Sequence, residues 1–114
     1  MNKYLFLYRN PQTTTSDRPP SPDEMKAMMT AWEGWKSSWK SNILDLGDGL
    51  KPTGKVLKAG VVSDGAHVQA RELVGGYSIV QAESYDQAVA VAKACPINAM
   101  PGAFVEVREL AGFG

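Results

Sequence analysis

The sequence predicts an α+β fold of ferredoxin-like type, with two helices packed on one face of a four-stranded antiparallel sheet. Two segments begin with helix-capping motifs and continue with apolar residues at helical spacing. Short apolar runs lie before, between and after them, which gives the order β-α-β-β-α-β. The 114 residues form one domain, 1–114, because two domains would each be too small to bury an adequate core.

The first strand is predicted at residues 3–9. Its side chains alternate between two faces that are both apolar, with Tyr4, Phe6 and Tyr8 on one and Leu5 and Leu7 on the other. A half-exposed strand would alternate apolar with polar residues, so we expect cover on both sides. Residues 10–20 are polar, rich in threonine and bounded by prolines, and this pattern is typical of a loop.

The first helix is predicted at about residues 22–39. Ser21 can cap it, Pro22 fits the first helical position, and Glu24 completes a capping box. An apolar stripe follows at helical spacing: Met25, Met28, Met29, Trp32, Trp35 and Trp39. We expect this stripe to be core, because three indoles are a large apolar area. The alternative is that it lines a pocket for an apolar or aromatic ligand.

The middle of the chain carries weaker signals. Residues 41–53 indicate a loop or a short irregular strand, and residues 55–60 indicate a second strand. Val61 and Val62 either extend that strand or pair locally. Ser-Asp-Gly at 63–65 predicts a turn, because Asp and Gly tolerate positive φ. Gly-Gly at 75–76 is interpreted as a break before a strand at 77–82.

The second helix and the last strand complete the pattern. Ser84 starts the helix, with Gln87 three residues further on, and Pro96 ends it. The last strand is predicted at 103–110. Its two faces consist of Val105 and Val107 on one side and Phe104, Glu106 and Arg108 on the other.

Composition excludes several classes of protein. Twelve basic residues balance 12 acidic ones, so the positive footprint of a nucleic-acid binder is missing. No apolar stretch approaches the roughly 20 residues that cross a bilayer, and the N-terminus lacks the features of a secretory signal. Cys95 is the single cysteine, which excludes an internal disulfide and predicts a cytoplasmic location. With one Cys and one His, a Cys/His zinc site within one chain is impossible, and we expect no cofactor.

The two apolar faces of the first strand predict a homodimer. Helices cover only one face of the sheet, so another surface must cover the other face. A copy of the same chain is the simplest partner, because closed two-fold assemblies dominate soluble oligomers. We expect two sheets packed face to face, each burying about 800 Å² or more.

Several segments resemble the YCII-related family, and most closely its DGPF branch. They are 4–8 (Tyr-Leu-Phe-Leu-Tyr), 47–50 (Gly-Asp-Gly-Leu), 64–72 (Asp-Gly-Ala-His-Val-Gln-Ala-Arg-Glu), 73–80 (Leu-Val-Gly-Gly-Tyr-Ser-Ile-Val) and 105–108 (Val-Glu-Val-Arg). The resemblance implies the dimeric α+β barrel, with a cleft between sheet and helices near the dimer interface. It implies no settled activity, although a few relatives are dehalogenase-type or lyase-type enzymes that use a His–Asp pair.

The sequence departs from the family at informative positions. Asp64, Gly65, Ala66 and His67 stand where the branch has Asp-Gly-Pro-Phe. Enzyme-type relatives place a histidine near the start of the first helix, and residues 21–25 contain none. The His–Asp pair of those relatives therefore does not carry over.

Three functions stay open at this point. The first is binding of a small molecule in the cleft, with candidate ligand-binding residues Tyr8, Arg9, Trp32, Asp48 and Tyr77. The second is a small lyase, isomerase or dehalogenase-type enzyme in which Asp64 orients His67 as a general base. The third is a protein-interaction or accessory module, since DGPF members are often associated with extracytoplasmic-function sigma factors.

Each candidate also has a purely structural interpretation. His67 and Asp64 can be ordinary turn residues, and Arg9 can form an ion pair instead of docking a carboxylate or phosphate. Tyr8 and Tyr77 can form a cross-strand pair instead of placing a hydroxyl in the cleft. Two further features are rejected as sites: the carboxylates of the 45–49 segment are too few for a calcium loop, and Cys95 is expected to be buried and inert.

Overall fold

The main sheet has the predicted ferredoxin-like topology. The computed structural model describes residues 1–11, 21–51, 53–63 and 72–113. Its elements are β1 (Asn2–Pro11), α1 (Pro22–Ser38), β2 (Ile43–Gly49), β3 (Val56–Lys58), β4 (Val61–Ser63), β5 (Glu72–Ala82), α2 (Tyr85–Lys93), a 3₁₀ turn (Pro96–Ala99) and β6 (Phe104–Glu109). Four strands pair antiparallel in the order β2-β5-β1-β6, so the fold prediction is confirmed.

Both helices begin where the capping motifs predict. The backbone N–H of Glu24 donates to Ser21 Oγ at 3.1 Å, and the Glu24 carboxylate accepts the Ser21 N–H at 3.2 Å. At α2 the backbone N–H of Gln87 donates to Ser84 Oγ at 3.2 Å. These bonds satisfy N–H groups that the first turn of a helix leaves without partners.

The core lies between the sheet and the helices. The strands contribute Tyr4, Phe6, Tyr8, Ile43, Ser78, Val80 and Ala82 to the core, and α2 contributes Ala88, Val91 and Ala92. From α1, Trp35 is buried, and its indole N–H donates to the Val91 carbonyl at 3.0 Å. The pleat of β1 therefore places one apolar side against the helices, as the alternation predicts.

The second face of the sheet, which we call the open face, carries Leu5, Leu7, Tyr77 and Ile79, all partly exposed. The register places Leu5 opposite Ile79 and Leu7 opposite Tyr77, so these side chains form one apolar strip. The helices lie on the other side. Among the described residues, no helix is long and apolar enough to cross a bilayer.

The strand predicted at 55–60 is present, but its expected place in the four-stranded sheet was wrong. That place, at the edge of the sheet beside β5, is taken by β2. Val56–Lys58 instead pairs with Val61–Ser63 in a separate two-stranded sheet. The pairing of β2 with β5 shifts register twice, between Ile43 and Asp48. Such irregular pairing, in a segment rich in Asp and Gly, leaves no alternating pattern for a sequence to show.

The prediction of a break at 75–76 was also wrong, because β5 runs through both glycines. Tyr8 pairs with Gly76 and Arg9 with Val74, so Gly75 is an extra residue that forms a bulge. Glycine inside a strand often marks a bulge or a close backbone approach, and here it marks both.

The methionines of α1 are not core, contrary to the expectation for the apolar stripe. Met25, Met28 and Met29 are 52%, 43% and 67% exposed. The helix packs on the core through its C-terminal half, where Trp35 is buried and Trp32 and Trp39 pack against the cluster. The stripe is continuous in sequence, but the sheet supports only the half that carries the indoles.

Candidate functional site

One cavity collects most of the predicted ligand-binding residues. It has a volume of about 320 Å³ and opens between the sheet, α1 and the 3₁₀ turn. Its lining residues are Tyr8, Trp32, Leu46, Gly47, Asp48, Gly49, Gly75, Gly76, Tyr77, Ile97 and Met100. Four of the five candidates, Tyr8, Trp32, Asp48 and Tyr77, are in this set. We call it the Tyr8–Trp32 cavity.

Two aromatic rings form one side of the cavity. The rings of Tyr8 and Trp32 meet edge to face, with centroids 5.4 Å apart and planes at 71°. Trp32 also meets Trp35 edge to face at 5.6 Å. Trp35 is buried, so Trp32 rests on a fixed neighbour while remaining partly exposed to the cavity.

A buried chain of hydrogen bonds holds the Tyr8 ring in place. The Tyr8 hydroxyl donates to Ser78 Oγ at 2.6 Å, and the Ser78 hydroxyl donates to the Leu46 carbonyl at 2.6 Å. Cys95 Sγ approaches the Tyr8 oxygen at 3.8 Å as a weak donor. Residues of β1, β5 and β2, two of them lining the cavity, are thus joined through one serine.

Burial keeps the Tyr8 hydroxyl and the Cys95 thiol of this hydrogen-bond chain protonated. Desolvation raises the pKa of the Tyr8 hydroxyl far above its usual range, and it outweighs the opposing hydrogen bond with Ser78. Desolvation also raises the pKa of the Cys95 thiol. Both groups are therefore neutral at physiological pH, so Tyr8 contributes a ring rather than an acid or a base. Cys95 is buried as predicted, whereas no local sequence pattern indicates its approach to Tyr8.

A second side of the cavity consists of bare backbone from β2 and β5. Gly47 has φ +75°, and a Cβ there would lie 1.8 Å from the Tyr77 carbonyl oxygen. A Cβ on Gly76 would lie 2.9 Å from the Asp48 carbonyl oxygen. Both positions require glycine, because the two strands approach too closely for a side chain. The 47–49 and 75–76 glycines are visible in sequence, although their meeting is not.

Asp48 is an exposed acidic residue of the cavity lining. Its Oδ1 accepts the Gly49 N–H at 2.7 Å, and the neighbouring Asp45 Oδ1 accepts the Gly47 N–H at 2.9 Å. Among the lining residues that the structure describes, Asp48 is the one charged side chain. In that same part of the chain, no cluster of three or more Asp, Glu, His or Cys side chains could hold a metal ion.

Arg9 lies apart from this cavity. Its Nε donates to Glu106 Oε1 at 3.0 Å, and Arg108 approaches the other oxygen of Glu106 at 3.2 Å. Hydrogen bonds from both guanidinium groups, with that of Arg108 the stronger influence, lower the pKa of Glu106. The ion-pair interpretation of Arg9 therefore describes its observed contacts.

Tyr77 contributes to the cavity differently from Tyr8. Tyr8 lies opposite Gly76, and Tyr77 lies opposite Leu7, so the two tyrosines are not a cross-strand pair. The adjacent Ser78 points toward the helices, so the Tyr77 side chain belongs to the open face. His67 and Asp64, the candidate catalytic pair, lie outside the described residues.

A second apolar space adjoins the first. It has a volume of about 360 Å³ and is lined by Met25, Met28, Met29, Trp32, Glu33 and Leu46. We call it the methionine groove. Trp32 and Leu46 line both spaces.

Three comparisons with known proteins complete the description. The family model described as the YCII-related domain matches residues 5–111. No curated protein matches the chain significantly. Among solved structures, the chain is similar to the 5-chloro-2-hydroxyhydroquinone dehydrochlorinase of Burkholderia phenoliruptrix, solved in complex with 2,5-dihydroxybenzoquinone. That similarity has 20% identity and a TM-score of 0.43, and covers 91% of this chain and 90% of the other.

Proposed function

The chain belongs to the YCII-related domain family, and we propose that it binds a small, largely apolar molecule, uncharged or positively charged, in the Tyr8–Trp32 cavity. One observation carries this proposal. Tyr8, Trp32, Asp48 and Tyr77 come from four different elements, and the fold brings all four to one cavity. Residues so distant in sequence share a surface because β5 lies between β1 and β2.

The size of the cavity suits a ligand of one ring with a short substituent. Its volume of about 320 Å³ lies at the lower end of the range of about 300–1,000 Å³ that is usual for ligand pockets. Its apolar lining comes from two aromatic rings together with Leu46, Ile97 and Met100. A flat ring packs well against an aromatic side chain on one side and bare backbone on the other.

The charge of the cavity decides between ligand classes. Asp48 repels an anion, while an ammonium group is attracted both to its carboxylate and to the faces of aromatic rings. The cation that the sequence offers to an acidic ligand, Arg9, contacts Glu106 instead. We therefore favour a neutral or cationic ligand over the carboxylate or phosphate considered from the sequence.

A matched set of probes tests this function. 2-Phenylethylamine, 2-phenylethanol and phenylacetate share a ring and a short chain but differ in charge. We expect the amine to bind best, the alcohol less well and phenylacetate least. Amide NMR shifts of Gly47, Gly49 and Gly76 locate the binding, because these groups line the cavity. Equal binding of all three probes, or shifts confined to other residues, contradicts the proposal.

The enzyme alternative depends on His67 and Asp64, and one further variant separates it from binding. We expect His67→Ala to retain binding of 2-phenylethylamine, because the substitution leaves Tyr8, Trp32 and the glycines of the cavity lining unchanged. If the variant loses binding while its thermal unfolding is unchanged, His67 belongs to the site and the enzyme alternative gains support.

The same proposal includes a homodimer formed through the open face. Leu5, Leu7, Tyr77 and Ile79 are partly exposed and lie side by side. Such a strip on one face of a sheet favours a second copy as its cover, since two-fold assembly buries it against itself. Sedimentation velocity at micromolar concentration tests this: a particle of twice 12.3 kDa is expected, and a monomer contradicts it.

A further inference from the structure

The methionine groove lies directly beside the Tyr8–Trp32 cavity. Trp32 and Leu46 line both spaces, so these two side chains mark the boundary that a longer ligand would have to pass. The groove is almost as large as the cavity, at about 360 Å³. A ligand with a ring-sized head fills only the first of the two.

The composition of the groove suits a flexible apolar chain. Met25, Met28 and Met29 are each more than two-fifths exposed, and they follow one another along about one turn of α1. Methionine is unbranched and polarizable, so such a surface adapts to chains of different shape. Exposed apolar residues that cluster in this way mark binding surfaces more often than single exposed side chains do.

The charged residues that line the cavity and the groove are both acidic. Asp48 in the cavity and Glu33 in the groove are the two charged residues among the described lining residues of both spaces. A carboxylate-headed lipid would meet like charge at either end. An amine-headed or alcohol-headed chain meets an acceptor instead.

From these observations we propose that the cavity and the methionine groove form one extended site for an elongated amphiphile. Its neutral or cationic head lies near Asp48, and its apolar tail passes Trp32 and lies on Met28 and Met29. This inference rests on the proposed function, which concerns the cavity alone, and adds a tail subsite and a substrate class to it.

A chain-length series of primary amines tests the tail subsite. Butylamine is sized for the cavity, and octylamine reaches the groove. We expect octylamine, used below the concentration at which it aggregates, to bind at least about tenfold more tightly than butylamine, because its extra methylenes leave water. Octanoate, with the same tail and the opposite charge, is expected to bind more weakly than octylamine.

Variants locate the tail. Met28→Gln with Met29→Gln keeps good helix formers at both positions and removes the apolar surface. We expect this double variant to lose most of the octylamine advantage and to bind butylamine like wild type. Val89→Gln, at a 37% exposed apolar position on α2, is the matched control and is expected to change neither. Methyl NMR shifts at Met28 and Met29, seen with octylamine and not with butylamine, supply a readout independent of the variants.

The outcomes separate this inference from the proposed function. If butylamine and 2-phenylethylamine bind but the longer chain adds nothing, the tail subsite is wrong and the cavity function stands. If no probe binds, both are wrong. If the double variant instead converts a dimer to a monomer in sedimentation, the groove is an interface between copies and the inference fails. Capture of a partner protein whose binding leaves octylamine affinity unchanged also contradicts it.

Discussion

The hydroxyl group of Tyr8 donates a 2.6 Å hydrogen bond to Ser78 Oγ, beneath the wall that Tyr8 gives to the cavity. Ser78 is fully buried, and its own hydroxyl donates a hydrogen bond to the Leu46 carbonyl. The Tyr8 side and the β2 side of the cavity are therefore connected through one buried serine. This connection explains how a site built partly on an irregular edge strand keeps its shape.

Ser78→Ala is expected to destabilise the protein by about 1–3 kcal/mol, because it leaves a buried hydroxyl and a carbonyl without their partner. Urea unfolding measures the loss. Ser41→Ala, at an exposed position, is the control and is expected to change stability by less than about 0.5 kcal/mol. If both substitutions lower the free energy of unfolding by similarly small amounts, Ser78 does not hold Tyr8 and β2 together.

Gly76→Ala is expected to weaken ligand binding and to destabilise the sheet. Its Cβ would lie 2.9 Å from the Asp48 carbonyl oxygen and 3.4 Å from a ring carbon of Tyr8, so β2 must move outward. Gly34→Ala on α1 is the matched control, because its Cβ meets nothing within 4 Å. Thermal unfolding should show the control stabilised by about 0.5–1 kcal/mol, as expected inside a helix. A neutral Gly76→Ala would contradict the close approach of β2 and β5.

Stability is expected to fall as the pH rises above about 9, because burial raises the pKa of the Cys95 thiol in the folded state. Below the ordinary thiol pKa both states hold the proton, and stability is complete. Above it the unfolded chain ionises first, and stability is lost until the folded pKa is passed. Urea unfolding between about pH 8 and 10 measures the slope. Cys95→Ala should flatten the slope of stability against pH. An unchanged slope in this variant would show that another group causes the loss of stability.

Tyr8 is expected to stay protonated in the folded protein at about pH 11, where an ordinary tyrosine is largely ionised. Tyrosinate absorbance reports this directly. At that pH the native protein and Tyr8→Phe should give the same signal, whereas in denaturant the variant should lose the share of one tyrosine out of four. A smaller native signal in the variant would show that Tyr8 ionises while folded.

Asp48→Asn is expected to reduce binding of 2-phenylethylamine severalfold and to leave 2-phenylethanol nearly unchanged. The substitution keeps the oxygen that accepts the Gly49 N–H and removes the charge. Asp45→Asn, which keeps the corresponding bond to Gly47 but lies outside the cavity lining, is the control. Titration calorimetry measures both. Equal losses in the two variants would mean that the charge acts at a distance rather than within the site.

The sequence reveals the parts of the fold that local rules govern. Capping motifs at Ser21 and Ser84 place both helix starts, and the alternation of β1 identifies the face that packs on the helices. β2 is predicted only as one of two alternatives for residues 41–53, because its pairing is irregular and its residues favour loops. β2 is a strand because it pairs with β5, and its own residues show no alternating pattern.

The sequence predicts only part of the candidate site, namely residues whose types commonly line pockets. Tyr8, Trp32, Asp48 and Tyr77 are of residue types that line pockets, so the sequence identifies them as candidates. The contribution of Ser78 depends on a contact between strands 70 residues apart, which no local pattern shows. The exposure of the α1 methionines likewise depends on which part of the helix packs against the core, and the continuous apolar stripe does not show this.

The crystal structure of a complex with 2-phenylethylamine would show directly whether the Tyr8–Trp32 cavity is the binding site. The ring should lie against Tyr8 and Trp32, with the amine nitrogen within about 4 Å of the Asp48 carboxylate. A probe bound on the open face, or a Tyr8–Trp32 cavity that stays empty at saturating probe concentration, would contradict the assignment of this cavity as the binding site.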